Sequence, residues 1–232
     1  VLVPYDRACT TFTNTQSVLF GPPSNGSAGG FDTIAFGNPQ AAYVAASGDW
    51  GTVPIWPAVS PRVLSVGGTD ARSATDVAWG NSGGGTSLYY PKPAYQAALP
   101  HATRAVPDVA MVADRYSPVS FHVTSSATVP ASPTCVATYG ADACSWYGGY
   151  GTSVGAPIWS GLAAIARAIR AEQFKGGLDL ASALYALGSN PATAPVVFQD
   201  VVSGSRAGVG HDLVTGFGVP RSEALVSALA GL

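Results

Sequence analysis

The chain has 232 residues, of which 47% are hydrophobic and only 10% charged, with a formal net charge of -2. That length suits one sizeable domain, which typically hides roughly three quarters of the surface its unfolded chain exposes. No Lys/Arg cluster interleaves with aromatic residues, which argues against a nucleic-acid partner, and Arg167 and Arg170 interrupt the longest helical stretch, which argues against a membrane span.

In chain order, the first half alternates short apolar runs with glycine-rich turns: VLV (1–3), SVLF (17–20), AAYVAA (41–46) and RVLSVGG (62–68). Continuous runs of this length suit strands buried on both faces of a parallel sheet, so the expected class is α/β. GPPSNGSAGG (21–30) and SSATVPASPT (125–134) read as loops. GGYGTSVGAPIWSG (148–161) leads into LAAIARAIRA (162–171), a helix with Leu162, Ile165 and Ile169 on one stripe and a basic, glycine-terminated end. LASALYAL (180–187) and SEALVSALAGL (222–232) read as further helices, the last with Ser222 as its N-cap. Neither an internal repeat nor a dividing linker is visible, so residues 1–232 read as one domain or a large piece of one.

Cysteine usage and a composition low in Lys and Glu but rich in Gly and Pro resemble those of a secreted hydrolase. Cys135 and Cys144 bracket a short loop that could close as a local disulfide. Cys9 is then either a buried inert thiol or bonded to a segment outside this chain. No signal peptide is visible from Val1 onward, so any targeting segment has been removed or was never included.

Four segments carry candidate chemistry. Ser153 falls in the first turn of a helix, where unpaired N–H groups can donate to an oxyanion formed when a serine attacks a carbonyl; it also reads as an ordinary cap. Asp49 follows the AAYVAA run, where α/β folds gather functional loops. A water-excluded carboxyl there can stay protonated and donate to an oxyanion, or it can simply organise its own turn. The glycines of NSGGGTS (81–87) permit close approach of a substrate strand, or form only a tight loop. In QDVVSGSRAGVGHDLVTGFG (199–218), Asp200 and Asp212 can wrap a hard cation with backbone carbonyls completing about six oxygen ligands; a solvated loop is the alternative.

AASGDWG, IWPAVSPRVLSVGGTD, WGNSGGGTSLYYPKPAYQ, RAVPDVAMVAD, GTSVGAP and GVGHDLVTGFG occur in an order and spacing that resembles the sedolisins, serine-carboxyl peptidases with a subtilisin-like fold. The likeness runs from about Ser17 to the C-terminus. Subtilisins place an Asn where Asp49 stands and need a His from an HGTH-type segment, whereas His101, His122 and His211 lie in other contexts. The resemblance implies a mostly parallel central sheet flanked by helices, with Ser153 as nucleophile and Asp49 as the oxyanion-stabilising acid. It further implies that Ser82, Gly83, Gly84 and Gly85 lie beside a peptide or protein substrate. Ca2+ would be bound by the Asp200 and Asp212 side chains with the carbonyls of Val201, Gly208 and Gly210. Tyr150 departs from the small residue usual two positions before the Thr.

Sedolisins activate their serine with a Glu, oriented by an Asp one helical turn later. This chain has only Glu172 and Glu223, both C-terminal to Ser153, with Gly176 and Ser227 in the place of the Asp. Asp6 and Asp32 read as ordinary loop or helix-start carboxylates. The expectation is therefore a base on an upstream segment, either cleaved into a separate N-terminal chain of the same precursor or not included in this sequence. The alternative is a non-catalytic relative that keeps the fold as a binding or structural module.

Overall fold

The computed structural model describes residues 32, 35–38, 41–122 and 146–232. The expected strands at 1–3 and 17–20, the loops at 21–30 and 125–134, Asp6 and all three cysteines lie outside these residues. In chain order the elements are β1 (Val44–Ala46), β2 (Leu64–Asp70), β3 (Val77–Ala78), β4 (Gly85–Pro91), a single 3-10 turn at Ala94–Gln96, β5 (Thr103–Val106), β6 (Val109–Val112), β7 (Val119–His122) and β8 (Trp146–Gly149). After these come α1 (Thr152–Glu172), α2 (Leu180–Gly188), α3 (Ala194–Val197), β9 (Phe198–Gln199), β10 (Val219–Pro220) and α4 (Ser222–Gly231).

β2 pairs in parallel with β1 (Val44 opposite Leu64) and with β6 (Val66 opposite Val109), but β3 runs antiparallel to it. β4 with β5, β7 with β8 and β9 with β10 form separate antiparallel pairs. Among the described residues the sheets are small and mixed, with β1, β2 and β6 mutually parallel, and a mostly parallel central sheet is not established by them. β1 is buried on both faces, as its continuous apolar run predicts. Val44 joins the core under α1, and Ala45 joins a second cluster with Phe36, Ala58 and Val63.

α1 lies across β1, β2 and β6 and also packs on α4. Its buried residues are Thr152, Gly155, Ala156, Trp159, Ala163, Ala166 and Arg170, spaced as one helical face. The expected stripe through Leu162, Ile165 and Ile169 is displaced from this face, and Ile165 is 53% exposed. The reason is close approach: a Cβ at Gly155 would lie 2.9 Å from both Met111 Cβ and Val66 Cγ1, so only small residues fit against the sheet. Trp159 fills the remaining space and donates its Nε1–H to the Ala110 carbonyl at 3.0 Å. α2 is capped by Asp179, which accepts from the Ser182 N–H. The N-cap of α4 is Arg221 rather than the expected Ser222, and it caps without a side-chain hydrogen bond. The other end of α4 is closed by Lys175, which donates to Ala230 O and Gly231 O. No helix of the described residues is long and apolar enough to cross a membrane.

The loop between β5 and β6 carries a fully buried ion pair. Arg104 donates to both carboxylate oxygens of Asp108, at 2.5 and 2.7 Å. Asp108 also accepts from the Ser65 N–H (2.7 Å) and the Tyr185 hydroxyl (2.6 Å). Burial, the largest single influence, disfavours the Arg104 charge, but Asp108 together with Tyr95 and Tyr185 holds the guanidinium above its ordinary pKa.

Candidate active site

β1 ends at Ala46, and the chain then turns through Ser47–Gly51 beside the start of α1. Ser153 and Asp49 meet there, at the carboxyl end of a parallel strand. The link between them is Thr152. Its backbone N–H and its hydroxyl both donate to Asp49 Oδ1, at 2.9 and 2.8 Å, and its hydroxyl oxygen accepts from the Gly48 N–H at 3.1 Å. Asp49 therefore supplies the helix with the cap that its own N-cap residue, Gly151, cannot provide. A carboxyl at this end also interacts favourably with the helix dipole.

With Oδ1 engaged by Thr152, Asp49 Oδ2 is directed to Gly151. A Cβ at Gly151 would meet Asp49 Oδ2 at 2.5 Å and Ser153 Oγ at 3.4 Å, so both groups flank the same side of this glycine. Gly151 has φ 96°, which favours glycine, and its N–H donates to the Ala113 carbonyl at 2.6 Å, fastening the helix start to the end of β6. The N–H of Ser153 has no acceptor four residues back within the helix. Among the described residues no side chain hydrogen-bonds to Ser153 Oγ. The antiparallel pair β7 and β8 leads into the site, with Tyr150 exposed after β8 and the Phe121 ring against Gly149.

The other expected site residues are placed as follows. Ser82 is fully buried; Gly83 and Gly84 donate to Gly48 O (2.6 Å) and Gly51 O (2.9 Å), on either side of Asp49. Gly85 opens β4. Asp32 is 2% exposed and accepts from Ser60 Oγ, Tyr90 OH and Trp56 Nε1. His211 is buried against Tyr185, and that burial lowers its pKa to about 4. His122 packs against the Trp146 ring.

Asp200 and Asp212 lie close enough that the charge of Asp212 raises the Asp200 pKa, although burial of Asp200 is the larger cause. Gly210 N–H donates to Asp200 Oδ2 at 2.7 Å, and Gly208 N–H to Asp212 Oδ2 at 2.9 Å. Val201 is fully buried beneath them. Two convergent carboxylates on a glycine-rich loop are a donor set that a hard cation fits. Among the described residues no group of three or more His, Cys, Asp or Glu side chains converges in this way.

Sequence reasoning singled out Asp49 and Ser153 as candidates but not the two hydrogen bonds by which Thr152 holds Asp49 at the helix start. The signal was present in the GTS triplet, but a threonine at a helix start is too common to stand out.

No family model and no curated protein matches the chain. Among solved structures, it is similar to a Pseudomonas sedolisin, a serine-carboxyl proteinase complexed with pseudo-iodotyrostatin, with a TM-score of 0.67 and 22% identity. That match covers 100% of this chain and 64% of the sedolisin. A lanthipeptide protease matches with a TM-score of 0.50 and 13% identity, covering 81% of this chain and 50% of its own. The chain thus spans less than two thirds of the sedolisin it resembles, and its fold is similar to that of this sedolisin.

Proposed function

We propose that the chain is the C-terminal portion of a serine-carboxyl peptidase domain of sedolisin type, acting on peptide or protein substrates at acidic pH. The observation that carries this reading is the placement of Asp49 Oδ2 and Ser153 Oγ on one side of Gly151, at the start of a buried helix. Ser153 Oγ attacks the substrate carbonyl carbon and transfers its proton to a base. The carbonyl oxygen becomes an oxyanion, held by the Ser153 N–H and by a proton on Asp49 Oδ2. Collapse of the tetrahedral intermediate breaks the peptide C–N bond, the amine leaves with a proton, and water hydrolyses the acyl-enzyme. Ionised Asp49 would repel the oxyanion, so activity falls as Asp49 loses its proton. The base belongs to residues outside this chain, on an upstream segment of the same precursor; this accords with a span of 64% of the sedolisin. The composition supports a secreted protein, with Cys135 and Cys144 as its disulfide.

The test is hydrolysis of a denatured protein at acidic pH by the chain co-expressed with its upstream segment, run beside Ser153→Ala. Loss of roughly a thousandfold or more in kcat is expected for Ser153→Ala. If the wild type cleaves nothing from acid to neutral pH, with calcium present, the chain is instead a non-catalytic module of this fold.

Calcium is the proposed cofactor, held by Asp200 and Asp212 with the carbonyls of Val201, Gly208 and Gly210; it would tie the 200–212 loop together. A ligand that binds only the folded state stabilises it, by about 2.7 kcal/mol at a hundred times its Kd. Calcium is therefore expected to raise the Tm of the wild type by several degrees, and Asp212→Ala to abolish that rise. An equal rise in both proteins would refute the site.

A further inference from the structure

The acidic loop and the Asp49 turn are joined by continuous hydrogen bonding. Asp212 Oδ1 accepts from the N–H groups of Val214 (2.9 Å) and Thr215 (2.7 Å) and so sets the turn that follows it. The Val214 carbonyl accepts from Ser82 Oγ at 2.8 Å, and that buried hydroxyl accepts in turn from the Gly68 N–H at 2.8 Å. Arg206 makes a second connection, donating to the Ser82 carbonyl at 2.6 Å and to the Leu213 carbonyl at 3.3 Å. The packing at this junction is tight: a Cβ at Gly84 would stand 2.0 Å from Leu213 O. From Ser82 the chain runs directly into Gly83 and Gly84, whose N–H groups grip the backbone on both sides of Asp49.

Arg206 itself has φ 63°, a left-handed conformation that costs a non-glycine residue of order 1 kcal/mol and persists only where surrounding contacts impose it. Those contacts are its two bonds to backbone carbonyls, one on each of the two segments. Its side chain is otherwise exposed, so its removal leaves no cavity in the core.

We propose that Ser82 and Arg206 are positioning residues that fasten the Asp200–Asp212 loop to the Asp49 turn, so that order in the loop fixes the carboxyl group beside Ser153. Ser82 then acts through backbone geometry rather than by touching substrate. The catalytic consequence rests on the peptidase reading, whereas the mechanical link does not.

Residue-resolved amide hydrogen exchange tests the link. In Arg206→Ala, exchange at the Gly83 and Gly84 amides is expected to rise about tenfold, the size that follows from losing a hydrogen bond with a charged donor. Arg206→Lys, which keeps one donor for one carbonyl, should restore most of the protection, and Arg221→Ala, on the far side of β9, should leave it unchanged. Where hydrolysis is measurable, Arg206→Ala should lower kcat with KM unchanged. Wild-type exchange at Gly83 and Gly84 in Arg206→Ala, with or without faster exchange in residues 208–215, would overturn the link. Because exchange is read without turnover, a chain that shows the link but cleaves nothing defeats the peptidase reading alone.

Discussion

Replacing Asp108 with alanine is expected to cost the fold about 3–5 kcal/mol, because it strands the fully buried guanidinium of Arg104 without a counter-charge. The same change removes the acceptor of the Ser65 N–H and the nearer acceptor of the Tyr185 hydroxyl, which keeps His211 Nε2 at 3.2 Å. Against a total stability of about 5–15 kcal/mol for a domain, this is a large fraction. The midpoint of urea unfolding should fall with little change in slope. The double variant Arg104→Met/Asp108→Ala should be less damaged than Asp108→Ala alone, since removing both charges removes the uncompensated one. A loss below about 1 kcal/mol in the single variant would show that solvent reaches Arg104 and that the pair does not carry the β5–β6 loop.

That network also marks where sequence reasoning stops. RAVPD places Arg104 on β5 and Asp108 in the short connection before β6, not on a helix, so no helical spacing rule pairs them. It is tertiary placement that encloses the two charges, with Tyr185, far along the chain on α2, Ser65 on β2, the Val63 carbonyl and the Tyr95 ring all brought against them. Ser153 at a helix start and Asp49 past a strand end were legible because each depends on local signals: glycines before an apolar helix, and a turn after a short apolar run. The buried face of α1 was misjudged for a physical reason. Periodicity selects the largest apolar residues, Leu162, Ile165 and Ile169, whereas closeness to the sheet selects the smallest, Gly155, Ala156, Ala163 and Ala166. Ser222 was similarly outranked as a cap by the residue before it, because the bond from Arg221 N–H to Val197 O sets where α4 can begin. The mixed strand directions follow from chain reversals in loops such as 71–76, whose composition marks a turn but not the partner on which the returning strand will pair.

Gly151→Ala is expected to lower the proposed hydrolysis by about a hundredfold or more, comparable to loss of an oxyanion donor. Two effects act together. The φ of 96° is strained for any residue with a Cβ, and the added methyl would sit 2.5 Å from Asp49 Oδ2. Relief of that clash must move either the carboxyl group or the helix start. Because Asp49 Oδ1 holds both the N–H and the hydroxyl of Thr152, either movement breaks the clamp that sets Oδ2 beside Ser153. Gly161→Ala, ten residues along the same helix, provides the contrast: its Cβ meets nothing within 4 Å, so the substitution should stabilise by up to about 1 kcal/mol with kcat unchanged. Opposite signs in stability for one chemical change on one helix would locate the constraint in the Asp49–Gly151–Ser153 geometry rather than in helix propensity. Equal behaviour of the two variants, in stability and in turnover, would mean that Asp49 does not need its observed position and that the oxyanion is held by other groups.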